Sequence, residues 1–146
     1  MSDLYELQLT LDLPGSLTDS DLALLRGHLG EGSEELRAPD AYPLLSARGP
    51  AQRIGGTLIG DLARSAQGWA LTVRQEVHPD EFDELRELVQ WLAARTTTSG
   101  TIGYLRFLEW DVPDVLVADP AAGTAQRLTL APARSTEDQL IPDPWS

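Results

Sequence analysis

The chain has 146 residues, of which 23% are charged and 42% hydrophobic, the size and balance of one folded domain around one core. Its 23 acids outweigh 11 bases, giving a formal charge of −12, and a field of that sign repels phosphate backbones and argues against nucleic-acid binding. With no cysteine, disulfides, thiolate catalysis and Cys-based zinc sites are excluded.

All 11 bases are arginine, a codon signature expected of a GC-rich bacterial gene. The acid excess runs through the chain: residues 1–53 hold nine acids and four bases, 54–111 nine and five, and 112–146 five and two. Such a surface steers basic partners towards it, or simply keeps the protein soluble. The opening "MSDLYELQLTLDLPG" lacks the basic start and apolar run of a signal peptide. No stretch approaches the roughly 18 apolar residues of a spanning helix. The expectation is a cytoplasmic protein with no membrane partner.

In chain order, Leu4 to Leu13 alternates, with Tyr5, Leu7, Leu9, Leu11 and Leu13 on one face and Glu6, Gln8, Thr10 and Asp12 on the other. That pattern predicts a strand with one face in a core and one in water. Pro14-Gly15 ends it. Thr18 reads as a helix N-cap, followed by Asp19 and Asp21 in the first turn, Leu22, Leu25 and Leu29 at helical spacing, and Gly30 as a C-cap. Residues 31–53 form a long loop rich in Pro, Gly, Ser and charge, in which a short helical turn at 33–37 fits. Two strands follow, Ile54 to Ala63 and Trp69 to Val77, with a turn at Ser65 to Gly68. Pro79 opens a second helix that runs to about Arg95, with His78 at its border and an apolar stripe of Phe82, Leu85, Leu88, Val89 and Leu92. A strand from Thr101 to Trp110 precedes a hairpin that turns at Asp119 to Thr124.

The order strand, helix, strand, strand, helix, strand predicts an α+β fold: a ferredoxin-like antiparallel sheet with two helices on one face, plus a C-terminal β-hairpin extension. Residues 1–131 form a single domain, and 132–146 a C-terminal tail.

Catalytic chemistry finds no support in this sequence. The chain has two histidines, and no G-x-S-x-G turn accompanies them. The glycines of "RIGGTLIG" match neither a P-loop nor a dinucleotide fingerprint, and instead suit a bulge or a close approach of strands. Glu109, Asp111 and Asp114 could hold a hard cation, but they lack EF-hand spacing and further ligands, so a solvated strand end is the simpler reading. The expectation is no enzyme, no cofactor and no metal site.

"LRFLEWDVPD" is the unusual stretch. Its strand puts Gly103, Leu105, Phe107 and Glu109 on one face, and Ile102, Tyr104, Arg106, Leu108 and Trp110 on the other. Trp, Tyr and Arg are frequent anchors at protein interfaces, and surrounding acids select a basic partner. Tyr104, Arg106, Glu109, Trp110, Asp111 and Asp114 are therefore the candidate partner-binding residues. Trp110 either anchors that interface or packs beneath the following hairpin.

From Gly55 onward the chain resembles the immunity protein 7 family of bacterial polymorphic-toxin immunity proteins. "WALTVRQEVHPDEFDELRELVQWLAARTTTSGTIGYLRFLEWD" follows that family's order of strands, amphipathic helix, strand and acidic run. Thr101, Gly103 and Leu105 stand where the family has Ser, Gly and Leu, and Glu109 and Asp111 fall in its acidic run. "RLTLAPARSTEDQLIPDPW" is similar to its closing segment. His78 followed by Pro79 replaces the family's Asn-His-Arg, Ile102 replaces a tyrosine, and the tail cysteine is absent. The resemblance implies a cytosolic antidote that binds a basic protein toxin domain and has no active site of its own. The alternative is a ferredoxin-like homodimeric module that binds a small molecule without catalysis. The polar face of the first strand counts against a dry sheet-to-sheet dimer, so the chain is expected as a monomer or weak homodimer.

Overall fold

The computed structural model describes residues 3–31 and 43–130. The turn read at 33–37 and the tail from 132 onward lie outside the described residues. The protein is an α+β fold built on one antiparallel sheet of seven strands. In chain order these are β1 (Tyr5–Pro14), helix α1 (Asp19–His28), β2 (Gly49–Pro50), β3 (Thr57–Ser65), β4 (Gly68–Val77), helix α2 (Phe82–Ala93), β5 (Gly100–Phe107), β6 (Asp114–Asp119) and β7 (Thr124–Leu128). A 3-10 turn, Pro79–Glu81, leads into α2. The sheet order is β2-β3-β4-β1-β5-β6-β7. It is wider than a ferredoxin-like sheet: β2 adds to one edge, and β6 and β7, the expected C-terminal hairpin, extend the other.

β1 occupies the centre. Leu7, Leu9, Leu11 and Leu13 are buried, opposite Gln75, Val73, Leu71 and Trp69 of β4. Against this face pack Leu25 and Leu29 from the first helical segment and Leu85, Leu88, Val89 and Leu92 from α2, in one continuous core. Helix α1 starts as its sequence dictates. Thr18 Oγ1 accepts the Asp21 N–H at 3.0 Å, and the Asp21 carboxylate accepts the Thr18 N–H at 3.3 Å. Leu29 caps the other end, and Gly30 follows in the left-handed region, φ 79°.

Several expectations are corrected. Glu6 does not face water: it is 9% exposed, because the strands on both sides of β1 bring arginines to it. The strand predicted from Ile54 begins only at Thr57, since Gly55 and Gly56 adopt left-handed φ of 78° and 69° and turn the chain. Ile102 does not share a face with Tyr104. A register shift between Thr101 and Gly103 turns it inward, where it is fully buried. The strand predicted from Thr101 to Trp110 stops at Phe107, so Trp110 lies beyond it in a turn.

Residues 43–53 are pinned to the sheet. Leu44 and Leu45 are buried in the core. The Gln75 side chain, itself 2% exposed, donates to the carbonyls of Ala47 and Ile59 and accepts the Ala47 N–H. Gly60 lets this segment approach, since a Cβ there would meet the Leu45 carbonyl oxygen. The Glu76 carboxylate accepts the N–H groups of Gln52, Arg53 and Ile54 at 2.7–3.1 Å. Partial burial alone would raise the Glu76 pKa; these three bonds and the Arg74 charge outweigh it and hold the carboxyl below its ordinary range.

Candidate functional site

The site is assembled where β1, β5 and α2 begin or end together. Tyr5 opens β1 and pairs with Phe107 at the end of β5. Their rings lie 5.2 Å apart, and Tyr5 meets Phe82 of α2 edge-on at 4.8 Å. After Phe107 the chain turns back: Leu108 N–H donates to the Leu4 carbonyl, and Trp110 N–H to that of Phe107. The turn lays the Trp110 ring edge-to-face on Tyr5 at 5.9 Å and on Phe107 at 5.8 Å. One side of the indole is thereby fixed, while 40% of the residue stays exposed.

Arg106 holds this turn from the opposite face of the sheet. Its Nη1 donates to the carbonyls of Leu108 and Trp110, both at 3.0 Å. Its Nε and Nη2 donate to one oxygen of Glu6 at 3.3 and 3.2 Å. The other Glu6 oxygen accepts from Arg74 Nε at 2.8 Å and Gln8 Nε2 at 2.9 Å. Burial alone would raise the Glu6 pKa, but Gln8, Arg74 and Arg106 together hold it below the ordinary carboxylate value.

The six residues singled out in the sequence therefore separate. Glu109, Trp110 and Asp111 form one exposed tip. Neither acid has an ion-pair partner among the described residues. Arg106 is a positioning residue whose donors are spent within the chain, contrary to the expectation that it meets a partner. Tyr104, 41% exposed, sits on the outer sheet face beside a hollow of about 250 Å³ shared with Glu6, Gln8, Arg106 and Pro113. Asp114 is corrected most clearly. It is 3% exposed, and its carboxylate is taken by Arg127 Nε at 2.6 Å, so it is not a rim acid awaiting a partner. Tyr5, Phe82, Glu6 and Arg74 were missed in the sequence reading. Tyr5 and Phe82 each begin an apolar pattern, yet only the strand register brings them together.

The site contains no nucleophile–base pair. Among the described residues, no three His, Asp or Glu side chains converge as a metal site requires. His78 borders α2, its N–H donating to Glu81 and its Nδ1 lying 3.2 Å from the Asp3 carbonyl. His28 is partly buried, and its Nδ1 accepts the Leu44 N–H at 3.4 Å. Among the described residues, no helix is long and apolar enough to cross a membrane. Comparisons with protein-family models, with curated proteins and with solved structures found no match to this chain.

Proposed function

We propose that this chain is an acidic binding protein without catalytic activity, an immunity protein that neutralises a basic toxin domain. The observation that carries the reading is the braced, half-exposed Trp110 between Glu109 and Asp111, two carboxylates without an ion-pair partner among the described residues. A fixed indole offers contact area at little entropic cost, and free acids on a chain of −12 draw basic partners. The resemblance to the immunity protein 7 family supports the same role. We further read β1, α1, β3, β4, α2 and β5 as a ferredoxin-like unit, widened by β2 and by the β6–β7 hairpin.

The test is binding to a basic C-terminal toxin domain, where a neighbouring gene encodes one, followed by stopped-flow kinetics. Trp110→Ala is expected to cost about 2 kcal/mol or more in affinity, through faster release. Neutralising Glu109 and Asp111 together should slow association and flatten its dependence on salt. Normal binding by both variants, with the fold checked by thermal melts, would refute the assignment of the tip. The outer-face hollow beside Tyr104 favours a second reading, a homodimeric small-molecule module. A dimer in light scattering at micromolar concentration, without toxin binding, would select it.

A further inference from the structure

The β6–β7 hairpin lies against α2, and the seam between them holds an open groove. Gln90 of α2 ties its two walls together: its Nε2 donates to the Ala125 carbonyl at 2.8 Å, and its Oε1 accepts the Ala125 N–H at 2.9 Å. Beside this tie the buried Leu85, Val89, Leu105 and Leu116 floor a hollow of about 220 Å³. A preformed apolar hollow with a few polar groups at its rim is the usual form of a small-molecule site.

The rim carries the charge that is scarce in this chain. Arg86 and Arg127 line the groove, and no carboxylate does so among the described residues, although acids outnumber bases by 23 to 11. Arg127 stands opposite Leu116 in the strand register, so its side chain rises from the helix-covered face. Its guanidinium is set from two sides. The buried Asp114 carboxylate takes Nε at 2.6 Å, and the Phe82 ring centroid lies 5.7 Å from Cζ. The Nη donors have no acceptor among the described residues, and the side chain is 39% exposed. A guanidinium oriented through Nε still presents its two Nη groups as a fork that matches a carboxylate. Arg86 meets Asp83 at 3.7 Å with both side chains in solvent, a contact that holds it only weakly.

From this arrangement we infer that the groove binds a small monocarboxylic acid. Its apolar body rests on the leucine and valine floor, and its carboxylate meets the Arg127 fork, with Arg86 as a second positive charge at the rim. At roughly 30 Å³ per water-sized group, the hollow takes a body of about seven heavy atoms. A cationic head would face two arginines. A dianion such as phosphate would be repelled doubly by the −12 field and would leave the apolar floor unused. One negative charge on an apolar body suits both the rim and the floor. This inference does not depend on the toxin-binding reading, which concerns the tip at Trp110.

Octanoate, whose alkyl tail has this size, is the probe, and octanamide is its uncharged counterpart. Calorimetric titration of the 146-residue chain is expected to give octanoate a dissociation constant of about 1 mM or lower. Octanamide should bind about tenfold more weakly. Amide resonances of Val89, Leu116 and Arg127 should shift with octanoate, while those of Asp61 to Arg64 in β3 stay in place. Asp114→Asn with Arg127→Gln removes both charges at once and leaves no buried carboxylate unpaired, and it should weaken octanoate about tenfold or more. Arg86→Gln, at an exposed position, should weaken it a few-fold. Equal binding of octanoate and octanamide, or shifts that avoid the groove, would overturn the inference, and both are read on the parent protein whether or not the double variant folds. Undiminished binding by the folded double variant would overturn it too. So would a leucine-terminated peptide that binds about tenfold more tightly than octanoate, which would assign the groove to a protein C-terminus.

Discussion

Replacing Glu6 by Gln keeps its shape and one acceptor oxygen but removes the charge that joins Arg74 to Arg106. Removing one partner of a fully buried ion pair costs roughly 3–5 kcal/mol, because the other charge is left uncompensated. Here the two arginines are 22% and 25% exposed, and both keep backbone acceptors: Gly55 and Ile54 for Arg74, Leu108 and Trp110 for Arg106. Solvent and these carbonyls offset part of the loss, which leaves an expected cost of about 2 kcal/mol. Urea unfolding of Glu6→Gln against the parent protein at neutral pH measures it directly. The pH dependence supplies a second check. The folded pKa of Glu6 lies below its ordinary 4.5, so its contribution is complete above 4.5 and disappears as pH falls through the lower folded value. At about pH 3 the difference between the two proteins should have narrowed. A cost under about half a kcal/mol at neutral pH, or an undiminished gap in acid, would refute the reasoning.

Leu88 is 3% exposed in the centre of the α2 stripe, so Leu88→Ala should cost about 2–5 kcal/mol in the same assay. A loss below about half a kcal/mol would mean the stripe is not seated on the sheet. Burial holds the His28 pKa below its ordinary 6.5, so as pH falls the unfolded chain takes up a proton first and stability declines from about 6.5 downward, until the folded form is protonated too. His28→Gln, which does not titrate, should remove that slope from denaturation measured between about pH 7 and pH 5. An unchanged slope would assign it to another group.

Where a segment's own pattern decides its structure, the sequence was legible. The alternation of β1, the Thr18 cap and the stripe of α2 each follow from spacing within a few residues. What escaped depends on partners distant in the chain. Alternation put Glu6 on the non-core face but could not show that Arg74 and Arg106 would converge there. Asp114 looked like a third rim acid until Arg127, thirteen residues on, took its carboxylate. Ile102 was misplaced by a single bulge, which separates its facing from that of Tyr104 and Arg106. The exposed tip of Glu109, Trp110 and Asp111 was visible as an oddity of composition. Its aromatic support was not, because Tyr5 lies about a hundred residues away in the chain.

The central place of β1 bears on how the chain can acquire its fold. β1 pairs with β4, residues 68–77, and β5, residues 100–107, so both its edges stay bare until these later segments emerge. Local hairpins such as β3–β4 can close early, but the strand that unites the sheet must wait for long loops to close. During synthesis at about 5–20 residues per second, its run of alternating leucines remains unpaired for several seconds. That interval is when the nascent chain is most open to pairing with a neighbour, and when a chaperone that shields apolar strands would act on it.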